Sequence, residues 1–304
     1  MRHLRIPAAA CASAGLVFAL ALTGCEAAQG AIHGARDAAR SATSAAASSA
    51  ASAVASAARD AFESSGPART SSFDWNGEIA AGKTLEVRGI NGAITAKPAD
   101  GRTASVHATL TGHHSDPTDV HVQVVKEDGN VTLCAVYPGS DADDACRSGG
   151  GHQKIHDNDV KVEFEVEVPS GVTFVPATVN GEIDAHGMSG PVRARTVNGS
   201  ISLETSGWAE ASTVNGSLDV RMGSTAAPNG LDFKTVNGAI DLYLPADASL
   251  DVDAETVNGG IDTDFPLTVE GRFLHNHASG TIGGGGTSLE LRTVNGSVEL
   301  HRQG

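Results

Sequence analysis

The tetrapeptide Thr-Val-Asn-Gly recurs through the second half of the chain and constrains its fold more than any other feature. A related Gly89-Ile90-Asn91-Gly92 lies upstream of the six copies. A period of about 20 residues is typical of repeat architectures, in which each unit buries its apolar face only against its neighbours. The asparagines of the six copies are Asn180, Asn198, Asn215, Asn237, Asn258 and Asn295.

The last interval between copies, from Asn258 to Asn295, is about twice as long as the others. The segment Gly280-Thr281-Ile282-Gly283 lies near its middle and resembles a weakened motif. We therefore predict a degenerate repeat unit at this segment.

Short alternating runs flank each motif, as Leu289-Glu290-Leu291 does before Thr293 and Ile201 with Leu203 after Asn198. Such units fit an antiparallel meander, with Asn-Gly as a type I′ hairpin turn. They also fit a parallel β-solenoid with Asn-Gly at a corner. Repetition of the whole phrase favours the solenoid, because like residues then stack about 4.8 Å apart. In this arrangement Val and the following Ile form the core, Asn side chains bond along the axis, and Gly supplies backbone freedom.

Acidic residues occupy the fourth position after the motif Asn in five of the six copies, with Ser202 in the other. In a solenoid they would form an outward column whose like charges repel unless cations offset them. Three interpretations of the column are open: a weak Ca²⁺ or Mg²⁺ site, a docking surface for a basic partner, and a surface that serves solubility. We favour the last. We predict no metal site and no cofactor. The column residues are Asp184, Asp219, Asp241, Asp262 and Glu299.

The region before the repeats also has strand patterns. Asp128-Gly129 separates the alternating runs Val120–Val124 and Val131–Cys134, which predicts a β-hairpin. Val160–Val168 alternates apolar and polar residues throughout, as a half-buried strand requires. We assign 73–172 to N-terminal strands with a disulfide loop and 173–304 to the repeats, together one domain over 73–304.

Cys134 and Cys146 are an even pair in a chain with export signals, and a disulfide between them is the simplest interpretation. A zinc site that adds His152 and His156 is the alternative. Its spacing matches no standard zinc site.

The N-terminus has the pattern of an export signal, with a basic start and an apolar run over Ile6–Leu22. Leu22-Thr23-Gly24-Cys25 resembles the lipobox of bacterial lipoproteins. The resemblance implies a signal peptide over 1–24 and acyl chains such as palmitate on Cys25, which would hold the protein on a membrane. An ordinary signal peptide is the alternative. Because Glu26, and not Asp, follows the cysteine, an outer-membrane location is favoured.

Residues 25–72 consist almost wholly of Ala, Ser and Gly. Alanine favours helix, but larger apolar residues are too few to form a packing stripe. We predict a tether, either helical or a disordered linker.

Composition and motifs disfavour several functions. A net charge of -15 disfavours nucleic acid as a partner. Gly77–Thr84 matches the phosphate-binding loop pattern, but a strand pattern follows where that loop needs a helix, so no nucleotide is expected. The common motifs of serine and zinc hydrolases are missing from the sequence, and no enzyme is predicted.

Several phrases together resemble a known family. They are Gly89–Gly92, Cys134-Ala135-Val136-Tyr137-Pro138, the strand Val160–Val168 running into Pro169-Ser170-Gly171-Val172, and the serial motif. They are similar to the bacterial “putative adhesin” family of β-strand repeats, related to head GIN domains and of unknown function. The resemblance implies an all-β fold, a single-stranded right-handed parallel β-helix, and an envelope location. It supplies no catalytic residue.

These observations predict a non-enzymatic lipoprotein of the cell envelope, acting as a scaffold or adhesion module. Its expected partners are the membrane, through the lipid anchor, and another envelope protein or a surface polymer. A sensor or regulator of envelope stress that acts through protein partners is the alternative. A polysaccharide-active β-helix enzyme ranks third, because aromatic residues are scarce among the repeats, where Trp208 and Tyr243 stand out.

Overall fold

The computed structural model of the protein describes residues 67–140, 146–147, 157–272 and 275–303. The predicted signal peptide, Cys25, most of the predicted tether and both histidines of the alternative zinc site lie outside these residues. No helix in the described part is long and apolar enough to cross a membrane.

The described chain is built of 21 strands and one 3₁₀ turn, Pro117–Asp119. In chain order the strands are β1 (Arg69–Glu78), β2 (Thr84–Arg88), β3 (Ile94–Pro98), β4 (Thr103–Gly112), β5 (His121–Glu127), β6 (Asn130–Val136), β7 (Lys161–Val168), β8 (Thr173–Ala177), β9 (Ile183–Met188), β10 (Val192–Arg195), β11 (Ile201–Thr205), β12 (Ala209–Ser212), β13 (Leu218–Met222), β14 (Leu231–Lys234), β15 (Ile240–Leu244), β16 (Leu250–Asn258), β17 (Ile261–Thr263), β18 (Thr268–Arg272), β19 (His275–Ile282), β20 (Thr287–Asn295) and β21 (Val298–Arg302).

The strands form two sheets. The first sheet has the order β1-β4-β7-β3-β9-β11-β13-β15-β21-β17, and the second has the order β18-β19-β16-β20-β14-β12-β10-β8-β2-β6-β5. Each repeat unit gives one strand to each sheet, and we call this pair a rung. The Thr-Val-Asn-Gly motif turns the chain from the second sheet to the first, and we call this turn the corner.

Neighbouring rungs pair in parallel, with equivalent residues side by side, as Ile201 pairs with Leu218 and Leu218 with Ile240. Asn180 likewise forms a parallel bridge to Asn198. The all-β, solenoid-like architecture with two parallel-rich sheets is therefore confirmed. Because Asn-Gly lies at a corner between sheets, the hairpin alternative for the motif is wrong.

The core is a thin layer between the two sheets. Each rung contributes a few aliphatic side chains, such as the fully buried Ile201 and Leu203 of β11. Large aromatic side chains such as Phe174 and Phe233 are few, in keeping with an aromatic content of 4%. A stack of this kind needs only small and medium apolar residues, because each rung buries its inner face against the next.

The corner places Thr inside and Val outside. The Thr196 hydroxyl donates to the Gly181 carbonyl at 3.0 Å, and Thr213 does the same to Gly199 at 2.9 Å. A hydroxyl suits this inner position because it satisfies the carbonyl of the neighbouring corner. The prediction that the motif Val belongs to the core is therefore wrong, and the valines are 37–39% exposed. These exposed valines are Val179, Val197, Val214, Val236 and Val294.

The corner glycines are required because the backbones come close together. A Cβ atom on Gly199 would lie 2.0 Å from the Gly181 carbonyl oxygen, and one on Gly181 would lie 2.0 Å from that of Gly92. Neither Gly181 nor Gly199 has a positive φ. The predicted need for backbone freedom is thus wrong at these corners, where each glycine makes room for the glycine of the next rung.

The order of rungs departs from the order of the chain at the C-terminal end. β20 and β21 lie between the β14–β15 rung and the β16–β17 rung. The chain between β17 and β20 forms the antiparallel hairpin β18–β19. Its strand β19 pairs antiparallel with β16 at the end of the second sheet. The predicted degenerate unit at Gly280–Gly283 is therefore wrong. These residues form the end of β19, where Ile282 pairs antiparallel with Leu250 of β16.

The N-terminal end has a similar exchange, because the β6–β7 rung lies outside the β2–β3 rung. β5 and β6 form the expected hairpin, with Asp128 at φ 50° and Gly129 at φ 81°. β1 begins at Arg69, inside the predicted tether, and pairs along its whole length with β4. Gly77–Thr84 forms the end of β1, a turn and the start of β2.

A disulfide joins Cys134 of β6 to Cys146. Both cysteines are buried and pack with Val136 and Val125 against the second sheet. The bond thus fastens part of the loop after β6 to the outer face of the stack.

We predict that Gly199→Ala lowers the free energy of unfolding by more than about 3 kcal/mol, because its methyl group would force two rungs apart. Gly260→Ala is the matched control, because a Cβ there meets only Asp262 Oδ2 at 3.8 Å. Urea unfolding of both variants measures the difference. Equal stability of the two variants would contradict the close-approach explanation.

Replacing both disulfide cysteines by serine is expected to cost about 3 kcal/mol, because a closed loop with a sequence separation of 12 restricts the unfolded chain. Thermal unfolding of the double variant, beside the wild-type chain with and without reductant, measures this cost. A double variant as stable as the oxidised wild-type chain would refute the prediction.

Candidate binding surfaces of the stack

The five predicted acidic residues lie in register on the outer face of the first sheet. Asp219 pairs with Asp241, Asp241 with Glu299, and Glu299 with Asp262. Asp184 is separated from Asp219 by Ser202 of β11. We call these five residues the acidic column. The exchange of the last two rungs places Glu299 between Asp241 and Asp262, an order that the sequence alone does not reveal.

Burial and neighbouring charges both act on Asp241, at the centre of the column. Partial burial raises the pKa of Asp241, and the neighbouring carboxylates of Glu299 and Asp219 raise it further, while His301 lowers it. Each factor acts on the charged form of the carboxyl group. At the centre of the column, burial and like charge therefore both disfavour the charged form of Asp241.

Basic and aromatic side chains beside the column offset part of this charge. Arg221 donates to Asp219 Oδ1 at 2.8 Å, and its guanidinium lies 4.1 Å from the centre of the Tyr243 ring. Tyr243 stacks in turn on His301, with the ring centres 4.7 Å apart. His301 Nε2 lies 3.5 Å from Glu299. Arg221, Tyr243 and His301 thus form a border along one side of the column. Each of them lies two residues after a column residue in its own strand.

A second row of acidic residues lies on the outer face of the second sheet and was not predicted. Asp232 pairs with Glu290, and Glu290 with Asp253. Burial raises the pKa of Glu210. The charge of Arg193 lowers this pKa, and the charge of Asp232 raises it. The row lines part of a cavity of about 320 Å³ beside Arg193. The sequence does contain a signal for this row, because its acidic residues each lie three positions before a motif Thr. They are Glu210, Asp232, Asp253 and Glu290.

Cations close to this second row balance it more fully. Lys234 Nζ lies 3.0 Å from Asp232 and 3.5 Å from Glu290. Arg292 also forms an ion pair with Glu290. Cationic side chains therefore offset the charges of Asp232 and Glu290 directly.

The seven predicted corner asparagines form one continuous row. Six of the seven donate from Nδ2 to the Oδ1 of a neighbouring rung, as Asn198 does to Asn180 at 2.7 Å and Asn215 to Asn198 at 2.8 Å. The row continues past Asn237 to Asn295 and then Asn258. Asn91 accepts from Asn180 at the other end. The motif therefore produces a ladder of amides along one edge of the stack.

An Asp–His–Thr line on the first sheet has the order of a catalytic triad. His107 Nδ1 lies 2.6 Å from Asp74, and His107 Nε2 lies 3.4 Å from Thr109. The Asp74 side chain is 74% exposed and that of His107 is 43% exposed. Electrostatic catalysis depends on a water-excluded site, so this open line is better explained as a cross-strand pair.

In the part of the chain that the structure describes, no cluster of three or more His, Cys, Asp or Glu side chains could hold a metal ion. The acidic column extends along the stack, and its carboxylates do not converge on one point. Its chemistry is therefore that of an extended charged surface.

A family model named Toastrack DUF4097 matches residues 94–301, more than half of the chain. The protein therefore belongs to the Toastrack DUF4097 family. The match spans all of the Thr-Val-Asn-Gly corners.

Several solved structures align with most of this chain at low identity. A “putative cell adhesion protein” from Clostridium sporogenes ATCC 15579 has 12% identity and a TM-score of 0.38, with 77% of this chain and 100% of that chain covered. A “putative adhesin” from Bacteroides fragilis NCTC 9343 has 11% identity and a TM-score of 0.34, with 77% and 97% covered. A “putative lipid binding protein” from Parabacteroides distasonis ATCC 8503 has 10% identity and a TM-score of 0.22, with 79% and 98% covered. No curated protein matches the sequence. These similarities are too low to indicate a function for this chain.

We predict that Asp241→Asn stabilises the fold at neutral pH by a few tenths of a kcal/mol, which raises the melting temperature. The substitution removes a partly buried charge that Glu299 and Asp219 also repel. A raised carboxyl pKa means that the charged form destabilises the folded state. The gain should therefore be present above the folded-state pKa of Asp241 and disappear as the pH falls through it.

Asp184→Asn is the matched control, since Asp184 has the neutral neighbours Thr95 and Ser202. Melting curves at several pH values compare the two variants. A gain of the same size at Asp184 would show that repulsion within the column is not the cause.

Proposed function

We propose that this protein is a non-enzymatic binding module of the cell envelope that presents the outer face of its first sheet to a basic partner. The in-register acidic column is the observation that carries this proposal. Burial and two neighbouring carboxylates raise the pKa of its central residue, Asp241. A positively charged partner would relieve that repulsion, and complementary charge gives both specificity and rapid association.

The architecture supports a scaffold or adhesion role. Parallel pairing of the rungs fixes the spacing of the column through backbone hydrogen bonds between β11, β13 and β15. A rigid surface loses little conformational entropy when a partner binds. A rod of stacked rungs with charge along one face is well suited to holding another envelope protein in a defined orientation.

The envelope location rests on the N-terminal sequence and on the disulfide. The signal-like run and Leu22-Thr23-Gly24-Cys25 support a lipid anchor at Cys25. The Cys134–Cys146 disulfide is typical of an oxidising compartment. We propose that residues 25–72 hold the stack at a distance from the membrane, most simply the outer membrane. A right-handed coil is also part of the proposal, favoured by the general handedness of connections between parallel strands.

Site-specific photo-crosslinking in intact cells tests the docking surface. A photoreactive residue at Ser202, between Asp184 and Asp219 of the acidic column, is expected to yield a discrete adduct with a basic envelope protein. Asp219→Asn with Asp241→Asn should reduce the yield at least about tenfold, because the charge complementarity is lost. Ser212 on the outer face of the second sheet is the matched control site.

The same adducts from Ser202 and Ser212, or a yield unchanged by the double substitution, would overturn the docking proposal. Cell fractionation of Cys25→Ser tests the anchor separately. We expect the wild-type chain in the membrane fraction and the variant outside it, and equal membrane retention of both would overturn the lipid anchor.

A further inference from the structure

The rung formed by β20 and β21 is inserted between two rungs that precede it in the chain. β20 pairs in parallel with β14 on one side and β16 on the other, and β21 pairs likewise with β15 and β17. We call β20–β21 the inserted rung and the space that it fills the slot. A later segment of the chain thus separates two rungs that are neighbours in the sequence.

The inserted rung makes the contacts of an internal rung on both of its sides. The Asn295 amide donates to Asn237 and accepts from Asn258. The Thr293 hydroxyl donates to the Gly238 carbonyl at 2.9 Å. The slot thus combines backbone pairing, corner contacts and apolar burial in one site of defined shape. The inward side chains of the inserted rung are at most 1% exposed, and they are Leu289, Leu291, Val298 and Leu300.

A loop of four glycines, Gly283–Gly286, leads from β19 to the inserted rung. Because Ile282 and Thr287 both pair with Leu250, this loop passes over the start of β16. Three of the four glycines have a positive φ, of 60°, 73° and 128°. Ordering glycine costs more conformational entropy than ordering any other residue, so the crossing is a costly connection.

The slot is selective for a segment that carries the motif. A Cβ atom on Gly296 would lie 1.9 Å from the Gly238 carbonyl oxygen, so the occupant needs glycine at its corner. A residue without an amide in place of Asn295 would break the ladder on both sides, towards Asn237 and towards Asn258. The inserted rung of a second copy meets each of these requirements, because its sequence is the same.

A swap of inserted rungs between two copies would reproduce every contact within the slot and change only the glycine loop. In the closed form, the Gly284 N–H donates to Ser249 Oγ at 3.4 Å, and the Gly286 N–H donates to Asp251 Oδ2 at 3.2 Å. A swap would lose these two contacts. It would also remove the need for positive φ, because four extended residues span about 14 Å. The two forms therefore differ mainly in the loop and in the entropy of association.

We propose that the slot also accepts the inserted rung of a second copy, so that two copies join by a reciprocal swap about Gly283–Gly286. The slot is then a self-association site whose partner is another molecule of the same chain. Because Glu299 lies on β21, each acidic column in the joined pair would be built from both copies. The swap requires no basic partner and goes beyond the docking function.

Crosslinking between two single-cysteine variants of the full chain tests the swap. Lys234 of β14 pairs with Arg292 of β20 on one side and with Ser212 of β12 on the other. Lys234→Cys and Arg292→Cys chains, unfolded in urea, refolded together in detergent and treated with a short bis-maleimide, should give a discrete two-chain adduct. Lys234→Cys with Ser212→Cys is the matched control, because a swap leaves β12 and β14 in one chain. Its yield should be at least about tenfold lower, since only a swap brings two thiols of different chains side by side.

A substitution in the loop tests whether the swap occurs there. Gly286→Ala, added to both cysteine chains, should raise the adduct yield at least about threefold, because alanine is strained at a φ of 128° in the closed loop and not in an extended one. Gly284→Ala is the control, because Gly284 has no positive φ. A Cβ atom has open space at both positions, with nothing closer than Ser249 Oγ at 4.0 Å from Gly284.

An adduct no more abundant than that of the control pair would overturn the proposal, and so would equal yields with Gly286→Ala and Gly284→Ala. If Lys234→Cys does not fold, Asp232→Cys with Glu290→Cys gives the same test, because these two residues also pair. Photo-crosslinking from Ser202 to a basic partner is a separate measurement. Failure of the swap and failure of the docking surface are therefore distinguishable.

Discussion

The close approach of backbone to backbone at the corners is the constraint on which the rest of the structure depends. Where Gly199 meets Gly181, the carbonyl oxygen of one rung occupies the space in which any other residue would carry its Cβ atom. This approach brings the Thr hydroxyl within reach of the neighbouring carbonyl and the Asn amides within reach of one another. The corner therefore sets the register for both sheets, and all outward rows are aligned because this one contact is aligned.

Alignment has an electrostatic cost on the outer faces. A parallel stack with repeated sequence places like side chains side by side, which satisfies amides but brings carboxylates together. On the second sheet the cost is offset, because Lys234 reaches both Asp232 and Glu290. On the first sheet it is offset only in part, by Arg221 and His301. The basic partner proposed for this face would relieve the repulsion that remains there.

The sequence predicts much of this architecture because the motif repeats at the level of single residues. The parallel stack and the hairpin at Asp128-Gly129 could be foreseen because each depends on a local pattern. The inward position of Thr and the outward position of Val could not, because a β-branched residue of either kind fits extended backbone and only the direction of a carbonyl decides between them. The exchange of rungs at the C-terminal end depends on long-range pairing of β20 with β14, which leaves no local signal in the sequence.

Insertion of the β20–β21 rung between β14–β15 and β16–β17 limits how such a protein can vary in length. The last strands in the chain are internal in the stack, and the β18–β19 hairpin closes its end. A repeat appended after Arg302 would find both sides of β20 and β21 already occupied. Duplication of a unit among β8–β15, where chain order and spatial order agree, would lengthen the rod without disturbing either end. The middle of the gene is therefore where evolution can adjust the reach of this protein.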